Sequence, residues 1–381
     1  MSCYASLVKP SSKLLLIVLI SDYIFCRLSG DEFCIVIKDI TASFQSQFAD
    51  TLISCLRNGM LLSVGELRIS ISIGIATSEP NTKSFEDLMA LADAAMYYAK
   101  KRGKNQYKLF DQSIAQDVLF RKQVAEKLRV ALENNEFHLN FMPIYHVDSL
   151  KIHSAEVLIR CNAKSLQSIG PDIYIPIAEE FGLIKDIDLW VIETTFALIS
   201  QHSDFIEQAQ LSIAINISSL ELHNTLFIQD IKKLITDYNI DTQCIQMEIT
   251  ETSLIETDEL TITTLQALQN LGIKLALDDF GMGYTAFSQL INYPVDCLKI
   301  DKSFIDSLML YKESEKSVLK AIFSIANAYH LSTTAEGVEE VAQLEYIRNN
   351  NCDYVQGYLL SKPMPWDSFV KEVTSPKTHD L

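Results

Sequence analysis

The sequence predicts an α/β protein, a TIM-type (β/α)8 barrel preceded by a smaller, partial α+β domain. Three observations predict it. A series of short apolar runs fills the stretch from Phe137 to Gly357, and most of them end in a polar side chain. Within it, Gly272 to Asp301 (GIKLALDDFGMGYTAFSQLINYPVDCLKID) reads as strand, Gly-rich turn, short amphipathic helix closed near Pro294, and strand. Parallel strands need such a crossover, and barrel enzymes keep their chemistry at the carboxyl ends of those strands.

From the amino terminus, Leu14 to Ile20 (LLLIVLI) follows Lys9 and Lys13 as the apolar part of a signal peptide would. It is too short to span a bilayer and no small-x-small cleavage pattern follows, so a buried strand is the better reading. RLSGDEF (27–33) followed by CIVI reads as strand, tight turn and strand, with Gly30 permitting the turn. LRISISIGIA (67–76) alternates as a strand. FEDLMALADAAMYYAKKRGKN is an amphipathic helix that ends in a basic cluster with Gly103 after it. Residues 111–135 contain no Pro or Gly and carry apolar positions at helical spacing, a linker helix running into the barrel.

The barrel strands follow as FHLNFMPI (137–144), KIHSAEVLIR (151–160), LSIAINIS (211–218), IQMEITE (245–251), IKLAL (273–277), VDCLKI (295–300), STTAEG (332–337) and CDYVQG (352–357). They present Glu156, Asn216, Glu248 and Glu251, Asp278 and Asp279, Lys299 and Asp301, Glu336, and Gln356. From Asn216 onward the spacing is about 20 to 37 residues, the reach of one βα unit. One such residue alone would be a helix cap; the series implies a site. Glu156 interrupts an apolar run, where a carboxylate is costly unless it is paired or binds metal. Glu156, Asn216, Glu248 and Asp278 offer only oxygen ligands, which suit Mg²⁺ or Mn²⁺ rather than zinc. Asp279, with Glu336 and Gln356, would complete a two-ion site, and Lys299 would orient a water or neutralise developing negative charge.

The motifs DDFGMGY, KIDKSFI, AEGVEE and QGYLLSKPMP resemble the EAL family of cyclic di-GMP phosphodiesterases over roughly residues 120 to 370. RLSGDEF and ADAAMYYAKKRGKNQY resemble the GGDEF family of diguanylate cyclases over about 27 to 110. The resemblance implies hydrolysis of cyclic di-GMP to linear pGpG, with Glu156, Asn216, Glu248, Asp278 and Asp279 binding metal and Lys299, Asp301 and Glu336 acting in catalysis. It implies Arg160 and Gln356 as substrate contacts, Glu251 as the residue that fixes the loop after Asp279, and a homodimer formed through the barrel. A binding-only receptor for cyclic di-GMP is the alternative. The family's E-A-L reads Glu156-Val157-Leu158 here, and its Tyr-Gln-Pro reads Phe141-Met142-Pro143, which removes a substrate-contacting amide. Cys161, Asn162 and Ala163 replace the aromatic and His-Pro expected after Arg160.

Asp31 and Glu32 would be the metal and catalytic carboxylates of a cyclase, with Lys100 at a phosphate-contacting position. The short stretch before Arg27 contains a single Asp, Asp22, so half the ligands of a two-metal phosphoryl-transfer site are missing. The expectation is a truncated, inactive GGDEF-like domain over 1–110, a linker helix at 111–121 and the EAL barrel over 122–375.

A net charge of −17 argues against binding of DNA or RNA polymers, which takes clustered Lys and Arg. The eight scattered cysteines show no C-x-x-C and read mostly as reduced core residues, in keeping with a cytoplasmic protein without a membrane span. No histidine shows metal-ligand spacing. Glu179 and Glu180 read as first-turn helix charges or local supports, and Glu339 as either a support or a solvated helix charge.

Overall fold

The computed structural model describes residues 23–375 apart from 39, 59, 63–64, 68, 79–83, 255–258, 282–292 and 309–312. The apolar run 14–20 and the helix expected before Pro294 lie outside the described residues. The chain divides into two compact units, Met1–Gln123 and Val124–Leu381. Among the described residues no helix is long and apolar enough to cross a membrane.

In the first unit, β1 (Tyr23–Ser29) and β2 (Glu32–Ile37) form the expected antiparallel hairpin, with Gly30 at a φ of +44° in the turn. Tyr23, Ile24, Phe25, Leu28 and Phe33 on it are exposed. β3 (Met60–Leu62) and β4 (Gly65–Leu67) pair with each other, and β5 (Ile73–Ile75) pairs in parallel with β6 (Tyr107–Leu109). The strand expected over 67–76 is therefore much shorter. A strand persists only where a neighbour completes its ladder, and β6 offers three residues. Gly74 lies so close to the helix Phe85–Lys101 that a Cβ would fall 1.9 Å from the Ala92 carbonyl oxygen, so only glycine fits. That helix ends where expected, N-capped by Ser84, which accepts from the Asp87 N–H.

The helix Gln112–Glu133 leads into the second unit. Its eight strands close into a barrel in chain order: β7 (Phe137–His146), β8 (Ile152–Cys161), β9 (Ser212–Asn216), β10 (Ile245–Thr250), β11 (Lys274–Phe280), β12 (Cys297–Ile300), β13 (Ser332–Ala335) and β14 (Tyr354–Val355). From β8 to β14 every neighbouring pair is parallel, but β7 runs antiparallel to both β8 and β14. The reason is local. The chain returns from β7 to β8 through a tight turn with Leu150 at a φ of +51°, too short for the crossover that parallel pairing requires. The amino-terminal half of β7 therefore reaches the same rim as the carboxyl ends of the other seven strands.

The apolar residues of the strands pack against the surrounding helices in one continuous core. The segment after β14 folds back over β7: Phe141 and Met364 exchange two backbone hydrogen bonds (2.7 and 3.0 Å), and Phe141 stacks against Trp366 and Phe369 at ring separations of 5.0 and 6.1 Å. Tyr145, Ser361 and Glu372 join in a buried hydrogen-bonded chain beneath them. Of the described cysteines only Cys297 and Cys352 are buried; the others are half-buried because they sit near strand ends or in the first unit. Phe141→Ala removes the ring at the centre of this seam and should destabilise the barrel by about 3–5 kcal/mol, read as a shift in the urea midpoint with the slope unchanged.

Candidate functional site

At the carboxyl end of the parallel strands one ammonium gathers carboxylates from the strands around it. Lys299, in the middle of β12, is 1% exposed. Its Nζ lies 2.6 Å from Glu248, 2.8 Å from Glu336, 3.3 Å from Asp278 and 3.7 Å from Glu156. These four come from β10, the end of β13, β11 and β8, so the pairing register of the whole barrel is what brings them together. Glu156 also accepts from Asn216 Nδ2 (2.8 Å) and Gln356 Nε2 (2.6 Å).

Asp278 and Asp279 are adjacent on β11, and a regular strand would aim them at opposite faces. The strand is irregular there. Its register against β12 slips between Leu277 and Phe280, and Asp279 takes a left-handed φ of +53°. The bulge turns the second carboxylate to the side of the first, and oxygens of Asp278, Asp279 and Glu336 lie within 4.8 Å of one another. The turn is fixed from below by Glu251, which is buried and accepts from the Gly281 N–H at 2.8 Å. The loop FGMGYTAF beyond Gly281 falls outside the described residues.

The electrostatics are those of a site with more negative charge than its lysine can balance. Burial would strip the Lys299 proton, but Asp278, Glu156, Glu248 and Glu336 together hold its pKa well above the ordinary value. Burial pushes Glu248 up to about 8 against the pull of Lys299, with the neighbouring charges of Glu156 and Asp278 adding to it. Glu336 is likewise raised by burial, and Asp279 by burial and then by Asp278 and Asp301. Glu156 is the exception: burial raises it, but Lys299 and the amides of Gln356 and Asn216 bring it below the ordinary value. An all-oxygen set that holds protons for want of countercharge fits hard divalent cations.

The other expected residues lie nearby in different states. Arg160 is two rungs from Glu156 toward the rim, and its Nη1 donates to the Ile159 carbonyl at 2.8 Å rather than to a carboxylate. Asp301 caps the helix Lys302–Ser307 by accepting from the Ser303 N–H at 2.9 Å, while its charge acts on Asp279. Gln356 is buried, with one amide atom on Glu156 and its Oε1 without a partner. Glu339 is exposed and paired with Lys302, but it lies in the loop between β13 and the helix Val341–Asn349, so it is not the helix charge expected. Sequence reasoning missed Asp188, on the helix Ile184–Gln201. It is buried, accepts from the Ser218 N–H at 3.1 Å, and so anchors the turn after Asn216. Nothing in its sequence setting separates it from a surface helix charge.

Two outcomes follow from this balance. Lys299→Met leaves the buried carboxylates without their counterion, and in EDTA it should cost about 3–5 kcal/mol of unfolding free energy, with a larger deficit at pH 9 than at pH 6 because Glu248 ionises near 8. Burial raises Asp188 to about 7, whereas an unfolded aspartate ionises near 4. The stability tied to it is full below about pH 4 and is lost as pH rises toward 7. Asp188→Asn keeps an acceptor for Ser218 and should flatten that part of a urea-midpoint profile against pH.

Residues 125–363 match the EAL domain family, and residues 7–106 match the family described as diguanylate cyclase, GGDEF domain. The cyclic di-GMP phosphodiesterase PdeR of Escherichia coli is 31% identical over 95% of this chain and 54% of its own length. The cyclic di-GMP phosphodiesterase NbdA of Pseudomonas aeruginosa is 30% identical over 94% of this chain and 46% of its own. The chain thus spans about half the length of the curated relatives it matches. Among solved structures, the PaMucR phosphodiesterase in complex with c-di-GMP superposes with a TM-score of 0.61 at 28% identity, over 65% of this chain and 99% of that one. With more than half of its residues matched by the family model, the chain belongs to the EAL family.

Proposed function

We propose that the barrel hydrolyses cyclic di-GMP to linear pGpG with the help of two divalent cations, Mg²⁺ or Mn²⁺. The observation that carries this reading is the cluster around Lys299: a buried ammonium outnumbered by carboxylates from separate strands, at the rim where parallel barrels keep their chemistry. The named activity of PdeR and NbdA and the c-di-GMP complex of PaMucR support the same reading.

In this reading Glu156, Asn216, Glu248, Asp278 and Asp279 hold the cations, with Glu336 beside them. Bound there, the cations would neutralise the phosphodiester and lower the pKa of a nucleophilic water. With the carboxylates engaged, Lys299 turns its hydrogen bonds to the attacking water and to charge developing on the phosphate. Asp301 accepts the water's proton. Attack at phosphorus breaks one P–O3′ bond, the departing 3′ oxygen takes a proton from solvent water, and the ring opens to the linear dinucleotide. Arg160 releases its backbone carbonyl to grip a phosphate with its fork, Gln356 contacts substrate through its open Oε1, and Glu251 holds the turn at Gly281. The first unit acts as a regulatory or dimerising module without cyclase activity, and the protein works as a cytoplasmic homodimer joined through the barrel.

One feature favours a receptor that binds without turnover. The inward residue across from Glu156 is Met142, which brings no polar group to the substrate. Chromatography of purified protein with cyclic di-GMP and Mg²⁺ or Mn²⁺ separates the two. The phosphodiesterase reading expects linear product, none in EDTA, and a fall in kcat of about 10²–10³-fold for Glu156→Ala and Lys299→Ala. Retained binding with no product at any metal concentration would leave the receptor.

A further inference from the structure

Because β7 runs against the other strands, its first residues stand at the rim of the barrel. Its odd-numbered residues face outward: Phe137 packs on Tyr174 and Trp190, and Phe141 on Trp366 and Phe369. Alternation puts His138, Asn140 and Met142 on the inner face. The register sets them across from Arg160, Leu158 and Glu156 in turn. A column of apolar, polar and polar side chains thus climbs the inner wall from the carboxylate ring to Arg160.

Both polar members carry a buried atom with no hydrogen-bond partner, Asn140 Oδ1 and His138 Nδ1. Such atoms are rare in native proteins and each calls for a partner from elsewhere. Two at successive inward positions of one strand, with the open Oε1 of Gln356 beside Glu156, make a wall built to be completed. Leu158, half-buried directly across from Asn140, gives that wall an apolar surface.

We propose that Asn140 and His138 form the base subsite of the barrel: they take the hydrogen-bonding edge of one guanine of cyclic di-GMP, whose ring lies on Leu158. The assignment rests on the phosphodiesterase reading for its ligand. A carboxamide offers an acceptor and a donor side by side, and guanine presents N1–H next to O6, so one side chain meets both. Burial and the charge of Arg160 lower the His138 pKa, which keeps the ring neutral for contact with an uncharged base. A neutral imidazole still has one nitrogen free to accept or donate. Arg160, across from His138, is then placed for the phosphate joined to that nucleoside.

The test is calorimetric titration of the full chain with cyclic di-GMP in EDTA, where turnover is stopped, using Asn140→Leu and His138→Phe. Each should weaken binding at least tenfold while leaving the Tm of the ligand-free protein equal or higher, since each deletes an atom that has no partner. With metal restored, the ratio of activity on cyclic di-GMP to activity on the base-free diester bis(p-nitrophenyl) phosphate should fall at least tenfold. Unchanged binding, a weaker complex accompanied by a lower ligand-free Tm, or an equal loss on both substrates overturns the base assignment. Should either variant fail to fold, Asn140→Ser and His138→Gln make the same comparison. Absence of binding by the wild-type chain in EDTA, together with absence of turnover when metal is restored, would overturn the reading of the barrel as a cyclic di-GMP site, whereas binding undiminished by the substitutions overturns only the role of these two residues.

Discussion

The contact between the Lys299 ammonium and its carboxylates governs the rest of the barrel. Burying that ammonium alone would cost several kcal/mol, and burying Glu156 or Glu248 alone would cost as much. Neither is tolerable without the other, so the register of β8, β10, β11, β12 and β13 has to close correctly for any of them to be accommodated. A one-residue slip of a strand would carry its carboxylate to the helical face. The polar centre thus selects one closure among those the apolar pattern permits, even though apolar packing supplies the stability.

The reversal of β7 is the second determinant, because it decides which side chains line the rim. In an all-parallel barrel the rim is lined only by carboxyl ends. Here the first strand contributes its beginning, so Arg160 on β8 faces His138 on β7. The same reversal leaves β7 bordered by β14 and sealed from outside by Trp366, Phe369 and the Phe141–Met364 backbone pair. The inner face of β7 is therefore held by a packed outer face, which gives a subsite the rigidity that selective binding needs.

The barrel strands were legible in the sequence, since alternation, length and terminal polar residues repeated often enough to outweigh any single ambiguous run. Glu156 and Lys299 stood out because charge inside an apolar strand has few harmless explanations. The direction of β7 was harder to read. Its apolar pattern is the same in either direction, and the only sign was the shortness of the link from His146 to Ile152. The pairing of Asp278 and Asp279 in one site was expected, but the means could not be read, because it depends on a left-handed residue and a slipped register within β11. Asp188 and the inward positions of His138 and Asn140 needed knowledge of which elements pack together, which residue type does not carry.

The protein groups of the site are by themselves frustrated in a specific way. Glu248 and Glu336 are held toward their protonated forms, Asp279 keeps a backbone conformation that costs about 1–3 kcal/mol, and Gln356, Asn140 and His138 each retain an unpartnered atom. In the proposed reading each imperfection is relieved by a different addition: cations in place of protons on the carboxylates, and a nucleotide in place of missing hydrogen-bond partners along β7. Their positions are ordered along the inner wall, with the cation set beside Lys299 and the base set nearer the rim. On the same proposal, a ligand spanning both presents its phosphodiester to the carboxylates while its base reaches Asn140, with the scissile bond toward Lys299. Binding energy gained on the base is thereby available to position the bond that breaks.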